Sequence, residues 1–229
     1  MTRTRIKICG LTREQDVDAA VAAGADAVGF VLYAGSQRGV TPQRAAVLAS
    51  RLPPFVTPVL LFVNEDAAQA LSALATVPGA IAQFHGDETP QRCFESSGAG
   101  RYRFMRAARI PLGLAGSDFD LVKYASDFSH AQAILLDAHV DGYGGGGKAF
   151  DWSLLPPAVD AHLVLSGGLT PANVGDGIRH LRTCGKTLSV DVSSGVEADA
   201  PDGMTVKGIK DAGKIRDFVT AVRAADAAS

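Results

Sequence analysis

The chain has 229 residues, 47% of them hydrophobic, 20% charged, and a formal net charge of −2. That composition excludes a disordered chain and argues against a nucleic-acid binder working through a basic surface. Its length favours one domain, residues 1–229, with a large core. Three cysteines, Cys9, Cys93 and Cys184, give no disulfide framework and no metal-ligand spacing, which fits a reducing compartment. The basic opening Met1–Arg5 lacks the apolar stretch of a signal peptide, and no apolar run is long enough to span a membrane. A soluble cytoplasmic protein, with neither nucleic acid nor membrane as partner, is therefore expected.

Short apolar runs alternate with amphipathic segments along the whole chain. Arg5–Cys9 is the first predicted strand, followed by a helix from about Arg13 to Ala22. Ala27–Leu32 is the second, and its helix opens at Thr41-Pro42, an N-cap residue followed by proline at the first helical position. Val56–Val63 precedes a helix from about Glu65, and Ala80–Phe84 precedes one at Thr89-Pro90. Arg103–Arg106 is the fifth strand, with its helix after Ser117, and Ala133–Leu136 is the sixth. His162–Leu165 is the seventh, and Thr170-Pro171 repeats the helix-opening pattern. Thr187–Val192 is the eighth, and Gly208–Ala225 reads as a closing helix.

The strands are nearly continuous in apolar residues, as in Val59–Val63, which means burial on both faces under helices. Eight strand–helix units of roughly 28 residues fit an α/β, single-domain (β/α)8 barrel. An open doubly wound sheet is the rival, but the first strand ends in Cys9-Gly10-Leu11-Thr12, without a GxGxxG fingerprint. Gly144–Gly147 reads as a mobile loop.

A barrel builds its active site at the C-terminal ends of its strands. The polar residues there are Cys9, Ser36 and Arg38, His85, Asp137, Gly167-Gly168, and Asp191 with Ser193-Ser194-Gly195. The loops after strands seven and eight carry glycines that let backbone N–H groups approach an anion. Each alone could be a tight turn; together they point to a phosphate. Cys9 alone reads more simply as a small packing residue. Asp137 could be a cap or ion pair, yet it leaves a buried strand at the functional face. Gly142–Lys148 nearly spells a P-loop, but Ala149 stands where Ser or Thr is needed. His130, His139, His162 and His180 have no metal spacing; Cys93, Cys184 and Trp152 read as packing residues.

These residues form an ordered series that resembles the phosphoribosylanthranilate isomerase family of tryptophan biosynthesis. It runs through Lys7–Thr12, Ser36–Arg38, Gln83–Gly86, Leu135–Asp137, Gly144–Trp152, Ser166–Leu169 with Asn173-Val174, Asp191–Glu197 and Gly208–Asp211. The chain departs from the family pattern at Gln37, Gly146 and Lys207, where proline, threonine and proline are usual. The resemblance implies an Amadori rearrangement, with Asp137 as general acid and Cys9 as general base. It implies Arg38 at the anthranilate end, His85 and Asp191 as further polar contacts, and phosphate on Gly167, Gly168, Ser194 and Gly195. It also implies a small-molecule phosphosugar substrate, no metal or organic cofactor, and a monomer or homodimer.

Two other readings compete. Another phosphosugar barrel enzyme would call for a catalytic lysine early in the barrel, or for an aspartate at the end of strand one, where Cys9 stands. A non-catalytic phosphoribosyl-binding module would not be expected to keep both Cys9 and Asp137.

Overall fold

The computed structural model describes residues 3–112, 118–138 and 151–228. Eight parallel strands close into a barrel in simple chain order. They are β1 (Arg5–Cys9), β2 (Ala27–Val31), β3 (Thr57–Phe62), β4 (Ile81–Phe84), β5 (Phe104–Ile110), β6 (Ala133–Ala138), β7 (His162–Leu165) and β8 (Thr187–Val192). The helices are α1 (Glu14–Ala23), α2 (Pro42–Ala49), α3 (Ala67–Thr76), α4 (Pro90–Ser96), α5 (Leu121–Asp127), α6 (Val174–Leu181) and α7 (Ala212–Ala227). Between β6 and β7 the described residues carry only the 3₁₀ turn Trp152–Leu154. After β8 a short antiparallel pair, β9 (Glu197–Asp199) with β10 (Thr205–Lys210), precedes α7.

Strand alternation divides the interior in two. Ile8, Phe30, Leu60, Phe62 and Phe84 join the large core between strands and helices. Cys9, Val31, Leu61 and Val63 form a separate small cluster, as do Ala107, Leu135 and Val164. Side chains two apart share a face of a strand, so Lys7 accompanies Cys9 and Gln83 accompanies His85.

The barrel of the sequence reading holds, with three local corrections. Helix α6 does not open at Thr170-Pro171. Asn173 Oδ1 accepts from the Thr170 N–H at 2.8 Å and its Nδ2 donates to Gly168 O at 2.9 Å, so this side chain ties a turn and the helix begins at Val174. Gly208 does not open α7. It has φ +83° inside β10, and α7 starts after Asp211, whose carboxylate accepts from the Lys214 N–H. Strand β5 continues four residues past Arg106, to Ile110, because Arg106 and Arg109 interrupt the apolar pattern without interrupting the ladder to β6. The caps at Thr41 and Thr89 form as read.

Cys93 lies on α4 and Cys184 in the turn after α6; both are buried free thiols. Trp152 packs against the main core. Residues Ser117, His139, Gly142–Lys148, Ala149 and Phe150, including the glycine loop, lie outside the described residues. The ends of the ring are clasped: Thr4 donates from N and Oγ1 to the Asp226 carboxylate, and Arg223 Nη1 donates to Thr4 O. No helix among the described residues is long and apolar enough to cross a membrane.

Candidate active site

Three buried polar clusters sit at the C-terminal mouth of the barrel. The first is on the β8–β1 seam. Lys7 and Asp191 are register partners, and Lys7 Nζ donates to Asp191 Oδ1 at 2.8 Å. Ser166 Oγ donates to the other Asp191 oxygen at 3.3 Å. Cys9 lies two residues beyond Lys7 on the same face. Gly29 on β2 makes room for it, since a Cβ there would lie 2.7 Å from Cys9 Sγ. Burial pushes the Cys9 thiol up, and the Lys7 ammonium opposes that shift without cancelling it. For Lys7, burial alone would lower the pKa, but Asp191 and Cys9 overcome it and hold the ammonium firmly protonated.

The second cluster faces it from β4 and β6. His85 Nε2 lies 3.0 Å from Asp137 Oδ2, and Gln83 Nε2 lies 3.0 Å from His85 Nδ1. Asp137 Oδ1 accepts from the Ala138 N–H at 3.0 Å. Only β7 and β8 separate β6 from β1 around the shorter arc. Asp137 is itself within β6, one residue before its end.

The third cluster is ionic. Arg38 gives Nε and Nη2 to the two oxygens of Glu197, each at 2.7 Å. Glu197 Oε1 also accepts from Gly208 N at 2.8 Å and Lys210 Nζ at 3.1 Å. Burial alone would raise the Glu197 carboxyl, but Arg38 and Lys210 hold it below its ordinary value. Lys210 is pushed down, by burial first, with Glu197 opposing. Its ammonium also donates to Ser193 O at 2.8 Å, anchoring the loop after β8. Gly10, at φ +77°, permits the Arg38 stem to cross it: a Cβ there would lie 2.7 Å from Arg38 Cδ.

Beside this cluster opens a cavity of about 520 Å³ lined by Arg38, Gly168, Ser194, Gly195, Lys207 and Lys214, among others. Gly167 and Gly168 are consecutive residues at positive φ. The loops after β7 and β8 touch so closely that a Cβ on Gly195 would run into Leu169 O. Thus Gly168, Ser194 and Gly195 share one wall. His85 and Asp137 share a hydrogen bond, Cys9 and Asp191 meet through Lys7, and Arg38 stands with Glu197. The sequence pattern assigns no role to Lys7, Glu197, Lys210 or Gln83. Each sits two residues from a recognised polar residue or within a recognised motif, so inward alternation was the available signal for Lys7 and Gln83.

A family model described as N-(5'phosphoribosyl)anthranilate (PRA) isomerase matches residues 6–221. An N-(5'-phosphoribosyl)anthranilate isomerase of Methylibium petroleiphilum is 58% identical over 225 residues, covering 98% of this chain and 96% of that protein. One of Leptothrix cholodnii is 56% identical, covering 99% and 94%. The crystal structure of phosphoribosyl anthranilate isomerase from Thermotoga maritima superposes with a TM-score of 0.80 at 37% identity, covering 96% and 99%. A second such structure, in complex with reduced 1-(o-carboxyphenylamino)-1-deoxyribulose 5-phosphate, gives 0.77 at 34% identity, with the same coverage.

Proposed function

The chain belongs to the phosphoribosylanthranilate isomerase family, and from that premise we propose how its residues divide the Amadori rearrangement that this isomerase of tryptophan biosynthesis catalyses. Asp137 is the general acid and Cys9 the general base. The observation that carries this assignment is the arrangement of two separate buried polar clusters at one mouth, a carboxyl on β6 and a thiol on β1.

Asp137 gives its proton to the furanose ring oxygen of N-(5-phosphoribosyl)anthranilate. The C1–O bond breaks, and the nitrogen lone pair forms the C=N bond of a Schiff-base cation. Cys9, as thiolate, removes the proton from C2, and the C–H electrons neutralise that cation to an enolamine. The enol then loses its O–H proton while C1 gains one, giving the aminoketose. Cys9 leaves protonated and Asp137 ionised, and exchange with water resets both. The substrate's own nitrogen takes up the electrons, so the proposed route uses no cofactor.

Arg38 has two of its three nitrogens held by Glu197, and the third is proposed to meet the anthranilate carboxylate. His85 acts through Asp137, and Asp191 through Lys7 and a substrate hydroxyl. The phosphate rests on Gly167, Gly168, Ser194 and Gly195. The cytoplasm is the proposed location, and a monomer or homodimer the proposed form.

Purified protein should convert freshly made phosphoribosylanthranilate with loss of its anthranilate-type fluorescence. Turnover no faster than spontaneous decay, in folded protein, would sink the reading. The base half predicts a pH profile. A base works ionised, and burial holds the Cys9 thiol above its ordinary 9.0 despite Lys7. Therefore in Asp137→Asn, where no acid limb opposes the base, the residual kcat/KM should still be rising with pH at about pH 9. A plateau in that variant beginning below about pH 8 would exclude this thiol as the titrating base. The phosphate half predicts that Gly195→Ala, which pushes Leu169 O away, raises KM about tenfold or more, with a smaller change in kcat. Steady-state kinetics with an unchanged KM would remove Gly195 from the phosphate site.

A further inference from the structure

Gln83 is fully buried on β4, inside the barrel, and belongs to none of the roles above. Its backbone is fixed on both sides. Residues Leu61 and Met105 are its register partners, and Arg106 donates to the carbonyls of Phe84 and Gly86 at 2.9 Å each. The next inward side chain, His85, is also buried, and the His85 backbone N–H donates to Phe62 O at 2.9 Å. The carboxamide therefore meets the imidazole in a fixed geometry, Nε2 to Nδ1, at 3.0 Å.

The chemistry of that contact is directional. An amide Nε2 only donates, so His85 Nδ1 must accept and carries no proton. The ring's single proton is then on Nε2, which donates to Asp137 Oδ2. A second ring proton, on Nδ1, would point at the Gln83 NH2 group. The imidazole is thereby fixed as a donor to Asp137 Oδ2, while Asp137 Oδ1 is held by the Ala138 N–H. A glutamate at position 83 would instead demand Nδ1–H, and a leucine would leave Nδ1 without a donor. Gln83 Oε1 meanwhile has no protein partner among the described residues. Buried acceptors are seldom left so, and here the amide is committed through its other end.

We infer that Gln83 is a positioning residue for the acid half of the reaction: it holds His85 as the Nε2–H tautomer, so that the ring donates to Asp137 Oδ2 and fixes the orientation of the carboxyl that acts on the substrate. The inference rests on Asp137 being the acid. Charged and titratable groups around this pair are Arg109 on β5, the register partner of Asp137, with Asp87 bonded to it, and Lys7, Cys9 and Asp191 on the strands opposite.

The test is nitrogen NMR of the full chain with labelled histidine, His85 being assigned by its loss in His85→Gln. In the wild type, the neutral ring should carry its proton on Nε2 and none on Nδ1. In Gln83→Glu, Nδ1 should gain a proton, kcat should fall about 100-fold with KM little changed, and the pH profile of kcat should move. Gln83→Met should give a smaller loss, with the ring in mixed tautomers. A neutral ring protonated on Nδ1 in the wild type overturns the inference and needs no variant to be seen. So does a Gln83→Glu enzyme with wild-type kcat and pH profile. Failure of the acid assignment is read separately, from Asp137→Asn keeping its turnover whatever the state of His85.

Discussion

Asp137→Asn is expected to lower kcat by about 10²- to 10⁴-fold, and Cys9→Ser by a similar factor, with both proteins folded. Asparagine has nearly the shape of the carboxyl and can still accept from the Ala138 N–H, but it has no proton to give. Serine fits the space beside Gly29 but is a far weaker acid than a thiol and so does not supply the anion. The Cys9→Ser loss therefore reports proton transfer rather than packing, whereas the Asp137→Asn loss also includes an amide NH2 turned toward the Ala138 N–H or His85 Nε2–H. The two groups act in successive steps on one substrate, so the double variant should lose much less than the product of the single losses. Circular dichroism and single-turnover fluorescence check both statements. If both single variants kept wild-type turnover, the role assignment would be wrong. If one did, only its half would be.

Glu197→Gln is expected to destabilise the fold by about 3–5 kcal/mol at neutral pH, the range for breaking a buried ion pair. Glu197 is wholly buried and is the shared anion between Arg38 and Lys210, whose ammonium is also wholly enclosed. The substitution leaves two cations facing each other, and Lys210 can escape only by shedding its proton. The sign of the pH dependence follows from the native interactions. The folded Glu197 carboxyl is held below its ordinary 4.5, so its stabilisation is present above that pH and is lost as pH falls through the folded value. Urea unfolding midpoints should thus differ most between wild type and variant near neutrality and converge in acid. A difference under about 1 kcal/mol, or one independent of pH, would mean that the cluster is not the anchor described. Because Lys210 also holds Ser193, the variant should bind phosphate-bearing substrate less well even where it is folded.

Much of this molecule is legible in its sequence because the relevant physics is local. Continuous apolar runs mark seven of the eight strands to within two residues, and Thr41-Pro42 and Thr89-Pro90 cap helices as their side chains allow. Thr170-Pro171 fails because a more distant side chain, Asn173, competes for the same backbone. Strand β5 is cut short in the reading because Arg106 looks exposed. In the fold Glu88 and two carbonyls hold its two terminal nitrogens, 18 to 22 residues away. The site divides along the same line. Asp137 is visible as the polar end of an apolar strand, while Cys9 reads there as a packing residue and takes a role only through the family resemblance. Lys7 is not, because its partner Asp191 is 184 residues later, and the Arg38–Glu197 pair spans 159. A buried charge can be foreseen only when its neutralising partner can be.

The Lys7–Asp191 pair straddles the line where the first strand meets the eighth. A ribosome delivers Lys7 near the start of synthesis and Asp191 near its end, and early segments begin to collapse first. Until β8 docks, the Lys7 ammonium has no counter-ion and must stay in water, which keeps the interior beside Cys9 open. Completion of the ring and desolvation of the thiol are therefore one event. An unfinished or circularly unsealed chain can hold most of its strands and still leave Lys7 without its counter-ion.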